Sequence, residues 1–324
     1  MEIYRWDLDK TYLLTDFESV SGLVRSALEA PEEKRNVPGS GALLRALSLR
    51  PASRVVIVSG SPTQMRPVLE RKLHMDGVRF HELHLKDNVR NLRKGHLRAV
   101  KGQFGYKLPA LLRGRAGLGR GVHEHLFGDD AEVDALVYSV FADAVAGRLT
   151  PVQVSRIMEA AGAYGESIQA ALEALEQVPA ADCVERIFIR LEKGVPPRRF
   201  APLGTRMVPI YSWFQAALVL YGAGRLRATD VFEVTLEVIQ SAGYGPRQLG
   251  NLFQDILRRG HVQLDAMRLL VGELEALEDP RVAPTIAACR ARVGWLGEVE
   301  GRYQEPAPPG HVDYLAVLRS FQAK

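Results

Sequence analysis

Residues 3–11, Ile3–Tyr4–Arg5–Trp6–Asp7–Leu8–Asp9–Lys10–Thr11, decide how the rest of the chain is read. Ile3 to Trp6 is a short apolar and aromatic run, which predicts a buried strand. Alternate side chains of an extended segment share a face, so Asp7 and Asp9 start as neighbours at the strand end. Two carboxylates there are costly if both stay ionised without a partner. A divalent cation, or divided protonation states, relieves that cost. One carboxylate would then attack an electrophile while the other handles protons. Taken alone, an Asp-x-Asp pair is more often a polar strand-to-loop turn, so the remainder of the chain must decide.

Moving outward, residues 54–59 carry four β-branched residues followed by Ser59, Gly60, Ser61 and Pro62, the clearest buried strand. Further strands are expected at 78–85, at 122–127 before Gly128–Asp129–Asp130, and at 185–190. Helices are expected at about 64–75, at 108–112 with Lys107 opening it, and at 134–146. The apolar residues Leu23, Val24, Ala27 and Leu28 fit another helix, and 42–49 fits one packed on a sheet. Thr150–Pro151 is an N-cap followed by proline at the first helical position, the start of two insert helices. Strands alternating with helices predict an α/β fold with a doubly wound, parallel, five-stranded sheet. Ligands bind such sheets at the carboxyl ends of strands, where Asp7, Ser59 and Asp129 fall. The expected organisation is a domain over 1–195 with a helical insert at about 148–180, a Pro- and Arg-rich linker over 196–205, and an all-helical region over 206–324 whose first helix covers 209–221. Gly147–Arg148–Leu149 and Gly224–Arg225–Leu226 form a weak internal echo, for which chance is the better explanation.

Composition bounds these readings. The 324 residues are 47% hydrophobic and 25% charged, which is globular and argues against general disorder. The net charge of +4 is modest, but residues 86–120 hold ten Lys or Arg against the single acid Asp87. That run is either a solvated face or a basic surface for an anionic substrate, a lipid headgroup layer or nucleic acid. Cys183 and Cys289 are too few for a disulfide framework. No apolar run at the start resembles a signal peptide, and 207–223 is too short to span a bilayer and carries Pro209. A cytoplasmic protein with at most peripheral membrane contact is expected. His81-x-x-His84 and His123-x-His125 have no third ligand spaced to complete a transition-metal site. The Gly- and Arg-rich stretch 114–121 is expected to be a loop, and 113–121 is no nucleotide fingerprint, because it precedes a strand and not a helix.

Four signals fall in order at successive strand ends or the helix starts beside them: Asp7-x-Asp9-x-Thr11, Ser59 after Val55–Val58, Lys107 at a helix start, and Gly128–Asp129 with Asp134. This order resembles the haloacid dehalogenase (HAD) superfamily of phosphohydrolases over about residues 3 to 190. Residues 6–15, WDLDKTYLLT, look like the opening of the actin-patch-type phosphatidate phosphatase domain, a relative of the lipins. Residues 58–73, the LHLKD run at 83–87, GDDAEVD at 128–134 and IFIR at 187–190 resemble its later segments. Lys10 stands where an acidic or small residue is more usual. The resemblance implies Asp7 as nucleophile, forming an aspartyl-phosphate, and Asp9 as the acid and base. It implies Mg²⁺ held by Asp7, the Asp9 carbonyl and Asp129, with Asp134 or Asp130 supporting the ion. Ser59 and Lys107 would hold phosphoryl oxygens, and Thr11 would fix the phosphate-binding Asp7 loop. Lys101 competes with Lys107, which is preferred because Leu108, Leu111 and Leu112 follow it. The gaps 12–53 and 86–106, where HAD enzymes carry caps, hold no obvious folded domain. An open site would admit a phosphatidate-type lipid at a membrane surface. The alternatives are a HAD phosphatase for a soluble or protein phosphoester and a non-catalytic phosphatidate-binding module. No nucleic-acid partner is expected.

Overall fold

The computed structural model describes residues 1–15, 30–86, 99–131, 133–297 and 311–322. The helix expected around Leu23 and the basic residues of 87–98 lie outside them. Six strands form one sheet: β1 (Glu2–Trp6), β2 (Ser53–Pro62), β3 (Glu82–Lys86), β4 (His123–Asp129), β5 (Val184–Arg190) and β6 (Met207–Ile210). The helices are α1 (Ser40–Ser48), α2 (Arg66–Met75), α3 (Ala99–Arg115), α4 (Asp134–Val145), α5 (Pro151–Ala160), α6 (Gly165–Glu176), α7 (Trp213–Gly222), α8 (Ala228–Ala242), α9 (Pro246–Arg258), α10 (Leu264–Glu275), α11 (Ala283–Gly297) and α12 (Tyr314–Gln322). The chain divides into two compact units, Met1–Arg35 with Pro51–Pro209 and Pro309–Lys324, and Asn36–Arg50 with Ile210–Pro308.

The sheet order is β3-β2-β1-β4-β5-β6, and the registers between β1 and β2, β1 and β4, β2 and β3, and β4 and β5 are parallel. Val55 to Val58 are all buried, as a parallel strand covered on both faces requires. From β1 the chain steps out to β2 and β3, then returns to β4 on the other side of β1. That reversal falls between β1 and β4, and the carboxyl ends of strands at such a point are the usual ligand position in a Rossmann-like α/β sheet.

Among the described residues six strands stand where the sequence reading had five. Residues 207–210 run beside β5, next to the Ile187 N–H that donates to the Arg206 carbonyl at 2.9 Å. Pro209 lacks an N–H, which an edge strand tolerates. The helix expected from Pro209 begins at Trp213 instead, where the Ser212 hydroxyl accepts from the Phe214 N–H at 3.3 Å. The linker expected over 196–205 contains a 3₁₀ segment, Pro197–Leu203, with Phe200 and Leu203 buried.

One face of the sheet packs under α3 and α4, in a core that includes Ile3, Val56, Val58, Leu108, Leu111 and Val140. Helix α3 corrects two expectations. It opens at Ala99, so Lys107 lies inside it, and it runs through Gly114 to Arg115, where a loop was expected. Its glycines hid it. Gly105 has a packing reason, because a Cβ there would lie 3.1 Å from the Ser167 hydroxyl oxygen of α6. The basic run is therefore partly spent inside, with Lys107 and Arg115 wholly buried. Arg115 Nη1 is 3.2 Å from Glu124 Oε1, and Arg5 Nε donates to the same carboxylate. Arg115 also donates to the carbonyls of Val122 and Gly119, both at 3.0 Å. The insert helix α5 starts as read, with Thr150 and Gln153 completing a capping box.

The division of the chain departs from the boundaries read along the sequence. Helix α12 belongs to the sheet-bearing unit, where the Tyr314 hydroxyl lies 2.6 Å from Asp143 Oδ2. Helix α1, expected to pack on a sheet, instead packs on α8 and α7. The Glu237 carboxylate accepts from the N–H groups of Gly39, Gly41 and Ala42 at 3.0, 3.2 and 2.7 Å, satisfying the start of α1. Gly39 has φ +86°, and a Cβ there would meet Val238 at 2.8 Å. The echoed Gly147 and Gly224 have φ 73° and 70° in separate units, so the likeness is one of helix-ending geometry. No helix among the described residues is long and apolar enough to cross a membrane.

The buried Arg5–Glu124–Arg115 cluster yields a stability test. Glu124→Ala would leave two guanidinium groups buried without their shared carboxylate. The expected loss is about 3–5 kcal/mol, measured by urea unfolding. A loss below about 1 kcal/mol would show that the cluster carries no such charge burden.

Candidate active site at the ends of β1 and β4

The Asp7 N–H donates to the Phe127 carbonyl at 2.9 Å, so the β1–β4 ladder holds Asp7 one residue past the strand. Alternation places Asp7 on the face of Ile3 and Arg5, which α3 and α4 cover. From α3, Lys107 Nζ reaches Asp7 Oδ1 at 2.9 Å and Asp134 Oδ1 at 2.5 Å. Asp134 stands at the first position of α4. Asp129 ends β4, where its Oδ2 accepts from the Thr11 hydroxyl at 3.2 Å and its Oδ1 from the Ala131 N–H at 2.6 Å. One carboxylate oxygen from each of Asp7, Asp129 and Asp134 lies within 4.8 Å of the others, and all three residues are buried. Gly128 makes this approach feasible, because a Cβ there would sit 2.4 Å from Asp134 Oδ2.

The loop after β1 turns sharply. Lys10 has φ 59°, a left-handed conformation, and its N–H donates to the Leu13 carbonyl at 2.9 Å. The Lys10 carbonyl accepts from Arg190 Nε of β5 at 2.9 Å. This turn carries Asp9 to the end of β2. There Asp9 Oδ2 accepts from the hydroxyls of Ser59 at 3.1 Å and Ser61 at 2.7 Å. A register shift between β2 and β3 over Ser59 to Pro62 accompanies this convergence. Asp9 was expected on the metal through its backbone carbonyl, and its carboxylate accordingly lies outside the trio of Asp7, Asp129 and Asp134.

The structure thus places the expected residues at one end of the sheet and separates their contacts. Ser59 and Thr11, read as phosphate-binding, orient Asp9 and Asp129 respectively. Of the two candidate lysines, Lys107 lies among the carboxylates, and the side chain of Lys101 is outside the described residues. Of the two candidate acids, Asp134 joins the trio. Asp130 Oδ1 instead accepts from the N–H groups of Glu192 and Lys193 at 2.7 and 3.0 Å, and burial pushes its carboxyl up. Two contributors were not singled out from the sequence. Ser61 shares a strand face with Ser59, a spacing that was legible. Tyr138, one turn after Asp134 on α4, donates to the Phe127 carbonyl at 3.3 Å. Burial first, and then Asp134, raise its hydroxyl well above the usual range, so it stays protonated.

Chemically, the site offers a trio of buried carboxylates with a lysine ammonium, and beside it a carboxylate oriented by two hydroxyls. Hard oxygen donors at this spacing fit a divalent cation such as Mg²⁺. Comparison with protein-family models, curated proteins and solved structures found no match for this chain.

Gly128→Ala tests the packing at this site. The added methyl group must displace the Asp134 carboxylate. The expected cost is about 1–3 kcal/mol in urea unfolding, with loss of any Mg²⁺-induced rise in thermal midpoint. A variant with the stability and Mg²⁺ response of the parent would show that Asp134 does not need its observed position.

Proposed function

We propose that this chain is a Mg²⁺-dependent phosphomonoester hydrolase working through an aspartyl-phosphate on Asp7. The observation that carries the reading is the buried trio of Asp7, Asp129 and Asp134 with Lys107 at the carboxyl ends of β1 and β4. Asp7 attacks phosphorus, the bond to the leaving oxygen breaks, and Asp9 supplies the proton that oxygen needs. Asp9 then takes a proton from water as that water attacks the acyl phosphate, releasing inorganic phosphate and restoring Asp7. The hydroxyls of Ser59 and Ser61 keep Asp9 aimed through both half-reactions. Lys107 offsets the carboxylate charge and, on substrate binding, holds phosphoryl oxygens. Thr11 and Ala131 orient Asp129. Asp7, Asp129, Asp134 and the Asp9 carbonyl are the residues that would hold Mg²⁺, whose chemistry is to neutralise phosphate charge as the anionic nucleophile approaches.

The substrate we propose is a phosphatidate-type lipid met at a membrane surface. It rests on the likeness of residues 6–15, 58–73 and 128–134 to the phosphatidate phosphatase segments. The alternatives are a soluble or protein phosphoester, and phosphatidate binding without turnover.

The deciding experiment measures phosphate release from phosphatidate-containing vesicles and from soluble sugar phosphates. Release from vesicles should require Mg²⁺, stop on chelation, and fall at least about a thousandfold in Asp7→Asn. Release from soluble esters alone would remove the lipid part and keep the hydrolase. Vesicle sedimentation without release from any substrate would replace the enzyme with a binding module.

A further inference from the structure

The opposite end of the same sheet carries a second cluster, which the chemistry above does not use. Glu2 opens β1, His123 and His125 alternate at the start of β4, and Glu185 lies near the start of β5. Register pairs Glu2 with His123 and Tyr4 with His125, so these four side chains share one face. The β4–β5 register slips between Glu124 and His125, which pair with Val184 and Arg186, so Glu185 is the extra residue of a bulge. Bulges re-aim side chains, and this carboxylate reaches both histidines. His123 Nδ1 lies 3.0 Å from Glu185 Oε1. His125 Nε2 lies 3.2 Å from Glu2 Oε2 and 3.5 Å from Glu185 Oε2. Ligand atoms of Glu2, His125 and Glu185 all fall within 4.8 Å of one another. Of the His123-x-His125 pair, which had no further ligand in sequence, His125 therefore gains two carboxylates from neighbouring strands, and His123 meets the group through Glu185.

We propose that Glu2, His125 and Glu185 form a zinc site that clamps the amino-terminal ends of β1, β4 and β5, with His123 orienting the Glu185 carboxylate. A neutral imidazole has a single N–H, so His125 Nε2 cannot serve both carboxylates fully as a donor. A divalent cation in place of that proton bonds to the imidazole and to both carboxylates. One imidazole with two carboxylates suits a tetrahedral Zn²⁺ that keeps a fourth position for water, whereas Mg²⁺ prefers oxygen alone. His125 is fully buried and stacks on Tyr4 with ring centroids 5.4 Å apart, which fixes one ligand firmly. His123 and Glu185 remain 44% and 30% exposed, which leaves an entry path for the ion.

The test titrates Zn²⁺ into the chelator-stripped full-length protein in excess Mg²⁺, with His123→Gln and Glu185→Gln as variants. Both side chains are partly exposed, so both variants should fold, as circular dichroism would verify. Parent protein should bind one Zn²⁺ and gain thermal stability. Each variant should bind at least about tenfold more weakly. Co²⁺ should give the visible absorption of a tetrahedral histidine-bound centre, weakened in both variants. Asp129→Asn should retain this Zn²⁺, which separates the site from the carboxylates at the other end of the sheet. Failure to bind Zn²⁺ in excess Mg²⁺, equal affinity in the variants, or loss of Zn²⁺ in Asp129→Asn would each overturn the proposal.

Discussion

Like charges held close together in a buried place govern this molecule. Three carboxylates converge where β1 and β4 end, and each is pinned by a different part of the chain. The backbone ladder holds Asp7, Thr11 and Ala131 hold Asp129, and Lys107 joins Asp134 to Asp7. In a medium of low dielectric such groups repel strongly, so the arrangement depends on the ammonium between them and on rigid support behind. Gly128 removes the last steric obstacle.

That support comes from both faces of the sheet. On one, α3 carries Lys107 in a helix whose neighbouring leucines are buried, and α4 presents Asp134 at its first turn. On the other, Trp6, Phe127 and Phe188 stack across β1, β4 and β5, with centroid separations of 4.3 and 5.0 Å. Such stacking ties the three strands together directly beneath their functional ends. The left-handed Lys10 is the local strain admitted to swing Asp9 toward Ser59 and Ser61.

The second unit shows how a short connection can serve a distant part of the chain. Residues 36–50, within the gap after β1, contribute α1 to a helical unit otherwise built from residues beyond 209. Glu237 closes the start of that helix, almost two hundred residues away in sequence. Conversely, the last helix leaves the helical unit and joins the sheet-bearing one through Tyr314 and Asp143. A composition-based boundary cannot register either exchange, because both rest on contacts between remote segments.

The sequence by itself determined the strand-rich core and the order of the chemical groups. Runs of β-branched and aromatic residues marked β1, β2, β4 and β5, and Asp7, Ser59, Asp129 and Asp134 stood at their ends. These features were legible because periodicity and strand termini are local properties. Tertiary structure alone decided which carboxylates meet, since Asp130 read as well as Asp134 until backbone direction turned it to the N–H groups of Glu192 and Lys193, just past β5. It also turned the charged Arg115 and Lys107 inward, made 207–210 an edge strand, and brought Glu2 and Glu185 to two histidines. The physical reason is common to all of these. Where a side chain points depends on the strand or helix it meets across space, and that partner is not written beside it in the chain.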